Sequence, residues 1–346
     1  MAKKSYLQDV LDQPVYLRLA LKSYPIKEIE SLLTRLQAGE FKKIILTGHG
    51  ASYNSLYPAF LYLCIQSVPV ALWQTAELLH YGFNQIDSAT LLCVNSQSGR
   101  SAEVKNLIEK ITNNRPACLL SLVNDLQSDL GKNSDNIINL QAGEEHGVAA
   151  KTFINSLSMS CLFSVQLCGE NIIEALDDMQ TACDAMEEYL ASWKTRIVEI
   201  DEIIGKTQNT VIIGRGPSMA IALNGALNQK EAAWLFTEGM NAAEFRHGPL
   251  ELADSNMTLI IIEGDHKTSK LNSVLAEEVT QYGCKVIWIG NSPPSSVASI
   301  RIPEVKDFVK PLVEVLPLQL LANVLASRQN IEAGKFRHIG KIVLKE

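Results

Sequence analysis

A run of apolar, mostly β-branched residues ends in Gly-x-Gly at two places in this chain, Lys43-Ile-Ile-Leu-Thr-Gly-His-Gly-Ala-Ser52 and Thr210-Val-Ile-Ile-Gly-Arg-Gly-Pro-Ser218. Two further pairs of segments recur at nearly the same spacing: Ala76-Glu-Leu78 with Ala243-Glu-Phe245, and Thr90-Leu-Leu-Cys-Val94 with Thr258-Leu-Ile-Ile-Ile262. Three matches at one spacing indicate a single module that is used twice.

Each copy alternates short apolar runs with stretches of helical period. That alternation is typical of parallel strands that are buried on both faces and joined by crossover helices. In the first copy, the spacing of Val104, Leu107, Ile108 and Ile111 predicts a helix over Ala102 to Thr112, after a strand over Leu91 to Asn95. We therefore predict an α/β fold of two tandem domains, each a mainly parallel sheet flanked by helices in a flavodoxin-like αβα sandwich.

The segments around the two copies complete the domain organisation. Residues 171–205 have helical spacing and no glycine between Gly169 and Gly205, which predicts linking helices. The full prediction is a helical lead-in over 1–40, a first domain over 41–170, linking helices over 171–205, a second domain over 206–330 and a C-terminal tail over 331–346.

Composition and charge argue against several classes of partner. The 346 residues carry a formal net charge of −7, which disfavours a nucleic acid or an anionic membrane surface as the main partner. No stretch approaches the roughly 18 uninterrupted apolar residues of a membrane helix, and the N-terminus lacks the apolar centre of a secretory signal. The seven cysteines form no C-x-x-C pair, and the six histidines share no ligand spacing. We expect a cytoplasmic protein without a metal site.

The segment Ser96-Gln-Ser-Gly-Arg-Ser101 joins a predicted strand to a predicted helix. Several hydroxyls and free backbone N–H groups would lie there at the positive end of the helix, which suits a phosphate monoester. An ordinary turn with Ser98 or Ser101 as the N-cap has the same pattern. The second copy has the acidic segment Glu263-Gly-Asp-His-Lys-Thr-Ser269 at the equivalent place, so we predict one phosphate loop, in the first domain.

The segment Gly48-His-Gly-Ala-Ser52 also ends a predicted strand, at the carboxyl edge where open α/β sheets bind ligands. A tight turn that allows close packing is the alternative interpretation.

Three residues outside the serine loop are candidates for catalysis. Glu231 lies beside an apolar stripe, where desolvation favours a general base, although an ion-paired structural glutamate fits the same place. His247 precedes a Gly-Pro breaker, in a loop that either enters a neighbouring cleft or is simply exposed. Lys341 is either a solvated tail charge or an amine that a docked tail brings to a carbonyl. The predicted stripe comprises Met219, Leu223, Ala226, Leu227, Lys230 and Trp234.

Together these residues resemble the sugar isomerase (SIS) family, in particular the isomerase half of glucosamine-6-phosphate synthase and the stand-alone amino-sugar phosphate deaminases and deglycases. The resemblance covers almost the whole chain. Its carriers are Gly50 to Ser52, the serine loop at 96–101, Ala142-Gly-Glu-Glu-His-Gly-Val-Ala-Ala150, Gly214-Arg-Gly216, Ala222-Leu-Asn-Gly-Ala-Leu-Asn-Gln-Lys-Glu231 and Ala243-Glu-Phe-Arg-His-Gly-Pro-Leu250.

The resemblance implies a role for each candidate residue. Glu231 would move a proton between C1 and C2 of the sugar, His247 would help to open the ring from the partner subunit of a homodimer, and Lys341 would attack or polarise the open-chain carbonyl. Asn228 stands where the synthase has a second active-site lysine. The residues that would hold the phosphate or line the sugar are Gly50, Ser52, Ser96, Gln97, Ser98, Ser101, Val148 and Ala150.

The resemblance implies a cofactor-independent enzyme that acts on a phosphorylated amino sugar. We expect no preceding glutaminase domain, because residue 2 is Ala where a cysteine nucleophile would stand. The leading expectation is deamination of glucosamine 6-phosphate to fructose 6-phosphate and ammonia. The alternatives are a fructosamine-6-phosphate deglycase, an isomerase or aminotransferase without its glutaminase domain, and a non-catalytic sugar-phosphate sensor.

Overall fold

The computed structural model describes residues 5–145, 147–207, 209–338 and 340–344. The chain divides into two compact units. The N-terminal unit comprises Val15–Glu145, Lys151–Gln180 and His338–Glu346, and the C-terminal unit comprises Met1–Pro14, His146–Ala150 and Thr181–Arg337.

The first part of the chain alternates helices with five strands. In chain order the elements are α1 (Tyr6–Leu11), α2 (Gln13–Lys22), α3 (Ile26–Gln37), β1 (Lys43–Gly48), α4 (Gly50–Ile65), β2 (Val70–Gln74), α5 (Thr75–Glu77), β3 (Thr90–Ser96), α6 (Ala102–Ile111), β4 (Cys118–Val123), α7 (Asp129–Asn133), β5 (Asn136–Asn139), α8 (Lys151–Leu167), α9 (Ile172–Ala191) and α10 (Trp193–Ile204). A π-helical turn, Leu78–Gly82, and a 3₁₀ turn, Phe83–Gln85, follow α5.

The second part repeats the pattern. Its elements are β6 (Thr210–Gly214), α11 (Ser218–Ala233), β7 (Thr237–Asn241), α12 (Ala242–Arg246), β8 (Thr258–Ile262), α13 (Ser269–Gln281), β9 (Lys285–Ile289), β10 (Ala298–Ile300) and α14 (Pro311–Arg328). Two 3₁₀ turns, Pro249–Leu252 and Asp307–Val309, precede β8 and α14.

The two sheets have the same topology, which confirms the predicted fold. The first has the strand order β2-β1-β3-β4-β5, and the second has the corresponding order β7-β6-β8-β9-β10. Every pair of neighbouring strands is parallel. This is the flavodoxin-like order, in which the direction of winding reverses between the first and third strands. A ligand site is therefore expected where β1 and β3 end, and again where β6 and β8 end.

The residue pattern explains why these segments form strands and helices. All residues of β3, β4 and β8 are buried, as expected for central strands covered on both faces. Helix α6 begins at Ala102 as predicted and buries Val104, Leu107, Ile108 and Ile111 against the first sheet.

Among the described residues, one helical segment, Asp307–Arg328, is long and apolar enough to cross a membrane by length and composition. In this structure 83% of its apolar window is buried within the protein, as in a core helix. The segment contains α14, which packs against α11. The approach is so close at Gly225 that an added Cβ there would lie 2.6 Å from Leu318 Cδ1.

Candidate functional site

A cavity of about 170 Å³ lies in the N-terminal unit at the carboxyl ends of β1 and β3. This is the switch point of the first sheet, where this topology places ligands. Five of the predicted phosphate-binding residues line it, together with the predicted tail lysine. The lining residues are His49, Ser52, Asn95, Ser96, Gln97, Ser98, Ser101, Glu103, Val104, Lys341, Ile342 and Val343.

The first turn of α4, which carries Ser52, reaches the serine loop because Gly48 and Asn95 bring the ends of β1 and β3 together. Gly48 allows a close approach, since an added Cβ would lie 3.0 Å from the carbonyl oxygen of Asn95. Asn95, which is 1% exposed, then donates from Nδ2 to the carbonyl of Ser52 at 2.9 Å and to the Ser55 hydroxyl at 2.9 Å. Its Oδ1 accepts from the Ser156 hydroxyl at 3.1 Å. The Asn95 side chain thus connects α4, β3 and α8 next to the cavity.

The expectation of free backbone N–H groups in the serine loop is only partly met. The N–H of Gly99 donates to Ser96 Oγ at 3.1 Å, and the N–H of Arg100 donates to Ser98 Oγ at 3.2 Å. Each hydroxyl accepts a hydrogen bond from its own loop, so its hydrogen remains for another acceptor. Ser101 is the N-cap residue of α6, yet its side chain makes no capping hydrogen bond. The hydroxyls, more than the amides, are therefore the donors that this loop offers to an anion.

Gly99 gives the serine loop its shape. It has a φ of +62°, and an added Cβ would overlap the hydroxyl of Ser128. Ser128 is the N-cap of α7 and accepts from the N–H of Gly131, so it cannot move freely. Only a residue without a side chain fits this turn.

The C-terminal tail enters the same cavity. The Nζ atom of Lys341 lies 2.7 Å from Glu145 Oε2, and the N–H of Ala102 donates to the carbonyl of Val343 at 3.1 Å. The first N–H group of α6 is thus occupied by the tail. Among the described residues that line the cavity, Lys341 is the one with an ammonium or guanidinium group.

Sequence reasoning missed four polar groups in or next to the cavity. Asn95 is the buried tie described above, and His49 Nε2 accepts from the N–H of Ala76 at 3.0 Å. Glu103 places a half-buried carboxylate in the cavity wall, and Glu145 pairs with Lys341. The first-turn position of Glu103 and the place of Asn95 at the end of a strand were the available signals. Glu145 lies within the motif 142–150 but was not singled out as a site residue.

In the C-terminal unit, α11 buries a different face from the predicted stripe. Met219, Leu223 and Leu227 are half-buried and Lys230 is exposed. Apart from Ile221, the deeply buried positions hold small or amide side chains, since α11 packs closely on β7 and α14. An added Cβ at Gly239 would lie 2.5 Å from the carbonyl oxygen of Ala222. These buried positions are Ser218, Ala220, Ile221, Ala222, Asn224, Gly225, Ala226, Asn228, Gln229, Ala232 and Ala233. Of the predicted stripe, Ala226 is buried, whereas Met219, Leu223 and Leu227 are only half-buried, because so close an interface favours small side chains.

Glu231 lies in the last turn of α11 and is half-buried. Asn228, one turn earlier, is fully buried and donates from Nδ2 to the Tyr6 hydroxyl at 3.2 Å. Gly334 packs against this region, where its N–H donates to the carbonyl of Ala232 at 3.4 Å. An added Cβ at Gly334 would lie 3.1 Å from Tyr6 Cβ and 3.7 Å from the backbone nitrogen of Val148.

Gly334 and Tyr6 thus link the segment containing Val148 to the helix of Asn228 and Glu231 within one unit. Val148 and Ala150 are buried there, whereas His146 of the same motif lies outside the described residues. His247 follows the last residue of α12 and is exposed, and Gly248 after it has a φ of +132°.

The switch point of the second sheet is filled by carboxylates. Glu263 follows β8 and accepts from the N–H groups of Asn291 at 2.6 Å and Ser292 at 3.1 Å. Glu314 of α14 accepts from the Ser218 hydroxyl at 2.7 Å, and its complete burial raises its pKa to about 7, an effect that this hydrogen bond partly offsets. These internal bonds leave the second switch point unlike the serine cavity.

Comparisons with known proteins agree with this architecture. The SIS domain model matches residues 40–166 and 203–327. A glutamine–fructose-6-phosphate aminotransferase (isomerizing) from Methanothermobacter thermautotrophicus is 29% identical over 350 residues, which is 98% of this chain and 57% of that protein. The chain thus spans little more than half the length of this curated relative.

Solved structures share the fold over nearly the whole chain. The C-terminal domain of glucosamine-fructose-6-phosphate aminotransferase from Francisella tularensis has a TM-score of 0.84 at 23% identity, covering 96% of this chain and 99% of that one. A glucosamine-6-phosphate deaminase from Thermotoga maritima has a TM-score of 0.76 at 18% identity, covering 99% of this chain and 100% of that one. At these identities the likeness shows the fold.

Proposed function

Because the chain belongs to the SIS domain family, we propose that it is a phosphosugar isomerase/deaminase that converts glucosamine 6-phosphate and water to fructose 6-phosphate and ammonia. The relatives named above act on fructose 6-phosphate or glucosamine 6-phosphate according to their names.

One observation carries the proposal. The hydroxyls of Ser52, Ser96, Ser98 and Ser101 line one cavity with the ammonium of Lys341, at the switch point of a parallel sheet. Hydroxyl donors beside a helix N-terminus suit a phosphate ester. The cavity is large enough for the phosphate and adjoining atoms, and fixing this end of the sugar would orient its reacting carbons.

The reaction needs a base, a ring-opening group and a carbonyl partner. His247 opens the pyranose ring to the free aldehyde. Glu231 then removes the C2 proton to give an enolamine and returns a proton to C1, which leaves an imine at C2. Water adds to this imine, and ammonia departs to leave the C2 ketone of fructose 6-phosphate. Lys341 polarises the carbonyl oxygen during the proton shift.

The exposed position of His247 supports a role at a neighbouring subunit, and we propose a homodimer in which each subunit supplies its His247 to the other. No cofactor takes part in this scheme, because every step is a proton transfer, a hydration or an elimination.

The decisive experiment is a substrate panel with the purified chain. Glucosamine 6-phosphate is incubated with the protein, and ammonia and fructose 6-phosphate are measured by separate coupled assays. We expect the two products in equal amounts. Fructosamine 6-phosphates serve as the second substrate class, and glucosamine without the phosphate is the matched control that should not react.

Each result of the panel decides between functions. Release of an amino acid from fructosamine 6-phosphates, without ammonia from glucosamine 6-phosphate, would replace the deaminase with a deglycase. Binding of glucosamine 6-phosphate without any product would indicate a sensor. Equal rates with glucosamine and glucosamine 6-phosphate would mean that the phosphate is not recognised, which would contradict the proposed role of the serine cavity.

A further inference from the structure

Glu145 is a buried carboxylate with a partner from the distant C-terminal tail. Its side chain is 0% exposed, and Oε2 lies 2.7 Å from Lys341 Nζ, across 196 residues of sequence. The same oxygen accepts from the Thr152 hydroxyl at 2.6 Å, and Oε1 accepts from the N–H of Thr152 at 3.3 Å. Glu145 thus contacts the N-terminus of α8 and also Lys341, a residue that lines the serine cavity.

The segment that carries Glu145 is fixed to the serine loop. Asn124 donates its backbone N–H to the carbonyl of Gln97 at 3.1 Å, and its Nδ2 donates to the carbonyl of Gly143 at 2.9 Å. Asn124 Oδ1 also accepts from the N–H of Ala142 at 2.8 Å. One asparagine therefore joins the serine loop to the residues just before Glu145, which holds the carboxylate at a constant place beside the cavity.

The tail, in contrast, has no helix or strand over its described residues 340–344, so its place depends on individual contacts. Two such contacts are the Lys341 ion pair and the hydrogen bond from the N–H of Ala102 to Val343. Glu145 is fully buried whereas the Lys341 side chain is 25% exposed. The buried partner is thus the carboxylate, and Lys341 is the member of the pair that lines the cavity.

We propose that Glu145 is the positioning residue for Lys341, holding its ammonium at the wall of the serine cavity. The catalytic part of this inference rests on the proposed function, in which Lys341 contacts the substrate carbonyl. A buried carboxylate that loses its cationic partner destabilises the folded state. The ion pair therefore favours the position of the tail in which Lys341 contacts Glu145. Without the pair, Lys341 would sample positions away from the substrate.

The test is a double-mutant cycle with Glu145→Gln and Lys341→Met. Gln keeps an oxygen that can accept from Thr152 but cannot pair with an ammonium. We expect Glu145→Gln alone to lower kcat/KM by about 10- to 100-fold, the scale of a misplaced reacting group. In the Lys341→Met background the same change should alter kcat/KM by less than about 2-fold, because coupled residues are not additive. Equal losses in the two backgrounds would show that Glu145 only stabilises α8.

A second measurement does not depend on activity. The wild-type chain is treated with a low concentration of acetic anhydride, and acetylation of Lys341 is followed by mass spectrometry. We expect Lys341 to react several-fold faster in Glu145→Gln than in the wild type. The matched control Glu144→Gln removes a charge from the exposed neighbouring residue and should leave the rate unchanged.

Thr152→Val provides the structural control, since it removes one hydrogen bond to Glu145 and leaves the ion pair. It should lower the melting temperature without exposing Lys341. Acetylation that is equally fast in the wild type and Glu145→Gln would overturn the positioning role. If no sugar phosphate reacts with the wild type, the proposed function fails, while the acetylation rates still decide whether Glu145 holds the tail.

Discussion

Asn95 donates a hydrogen bond to the carbonyl of Ser52 at 2.9 Å, and this bond joins the first turn of α4 to the end of β3. The two segments that would share a phosphate, the first turn of α4 with Ser52 and the serine loop after β3, are thus held together by the buried amide of Asn95. Asn95 also bonds to Ser55 of α4 and to Ser156 of α8. Its buried side chain therefore holds together the elements around the cavity.

The first prediction concerns Asn95→Ala. The substitution removes the three hydrogen bonds that Asn95 makes with the carbonyl of Ser52 and with the Ser55 and Ser156 hydroxyls, which we expect to lower the free energy of unfolding by about 2–3 kcal/mol. Inorganic phosphate, measured by calorimetric titration, should bind roughly 10-fold more weakly, because Ser52 and the serine loop are no longer held in a fixed relative position. Asn113→Ala, at an exposed position of the same unit, is the control. Unchanged phosphate affinity in Asn95→Ala would refute this link.

A second prediction follows from the carboxylate of Glu103 in the cavity wall. Its charge opposes that of a phosphate, so Glu103→Gln should tighten the binding of inorganic phosphate by about 3- to 10-fold at low salt. The same change removes an acid from the first turn of α6 and should reduce helix stability by about 0.3–1 kcal/mol. Opposite signs for affinity and stability make the result distinctive.

Calorimetric titration and thermal unfolding measure these two effects in the same samples. Glu109→Gln, an exposed change near the other end of α6, should alter neither by much. Weaker phosphate binding in Glu103→Gln would mean that the carboxylate serves the bound ligand instead of opposing it.

The sequence predicted the fold because its signals were local and repeated. Strands such as β3 are recognisable as short apolar runs, and α6 as an amphipathic helix, without knowledge of any distant contact. The lining of the cavity was predictable only where it coincides with a loop between such elements, as at Ser96 to Ser101. The pairing of Glu145 with Lys341 joins positions that are 196 residues apart, and no local pattern encodes it.

The error in α11 has a different origin. Periodicity identifies a face of large apolar residues, but the close contacts of Gly225 with Leu318 and of Gly239 with Ala222 select small residues for the buried face. Small side chains carry a weak hydrophobic signal, so the most tightly packed face of this helix was the least visible one in the sequence.

A third prediction tests the proposed base. Glu231→Gln keeps the size and half-buried position of the side chain but cannot take a proton from C2. We expect kcat to fall by roughly 100-fold or more, with KM within a factor of a few, since general bases contribute on this scale and binding relies on the phosphate. Steady-state assays of ammonia release give both constants. Glu238→Gln, at an exposed glutamate of β7, is the control, and an unchanged kcat in Glu231→Gln would exclude Glu231 from proton transfer.

A fourth prediction concerns pH and the carboxyl group of Glu314. Burial raises its pKa from 4.5 to about 7 in the folded protein. Between these two values the folded state keeps a proton that the unfolded state has released. The free energy of unfolding contributed by this group therefore falls as the pH rises from about 4.5 to 7, and it is constant above that range. The loss is of the order of 3–4 kcal/mol, at about 1.4 kcal/mol per pKa unit.

Glu314→Gln removes this titration and retains an oxygen that accepts from the Ser218 hydroxyl. The stability of the variant relative to the wild type should increase between pH 5 and pH 8, as measured by urea unfolding at each pH, because only the wild type must bury a charge at the higher pH. The exposed Glu277→Gln should show no such trend. A difference between Glu314→Gln and the wild type that stays constant with pH would contradict the raised pKa of Glu314. A carboxylate that stays ionised there would need the charge of Lys310, whose Nζ lies 3.6 Å from Glu263 Oε1 in the same cluster.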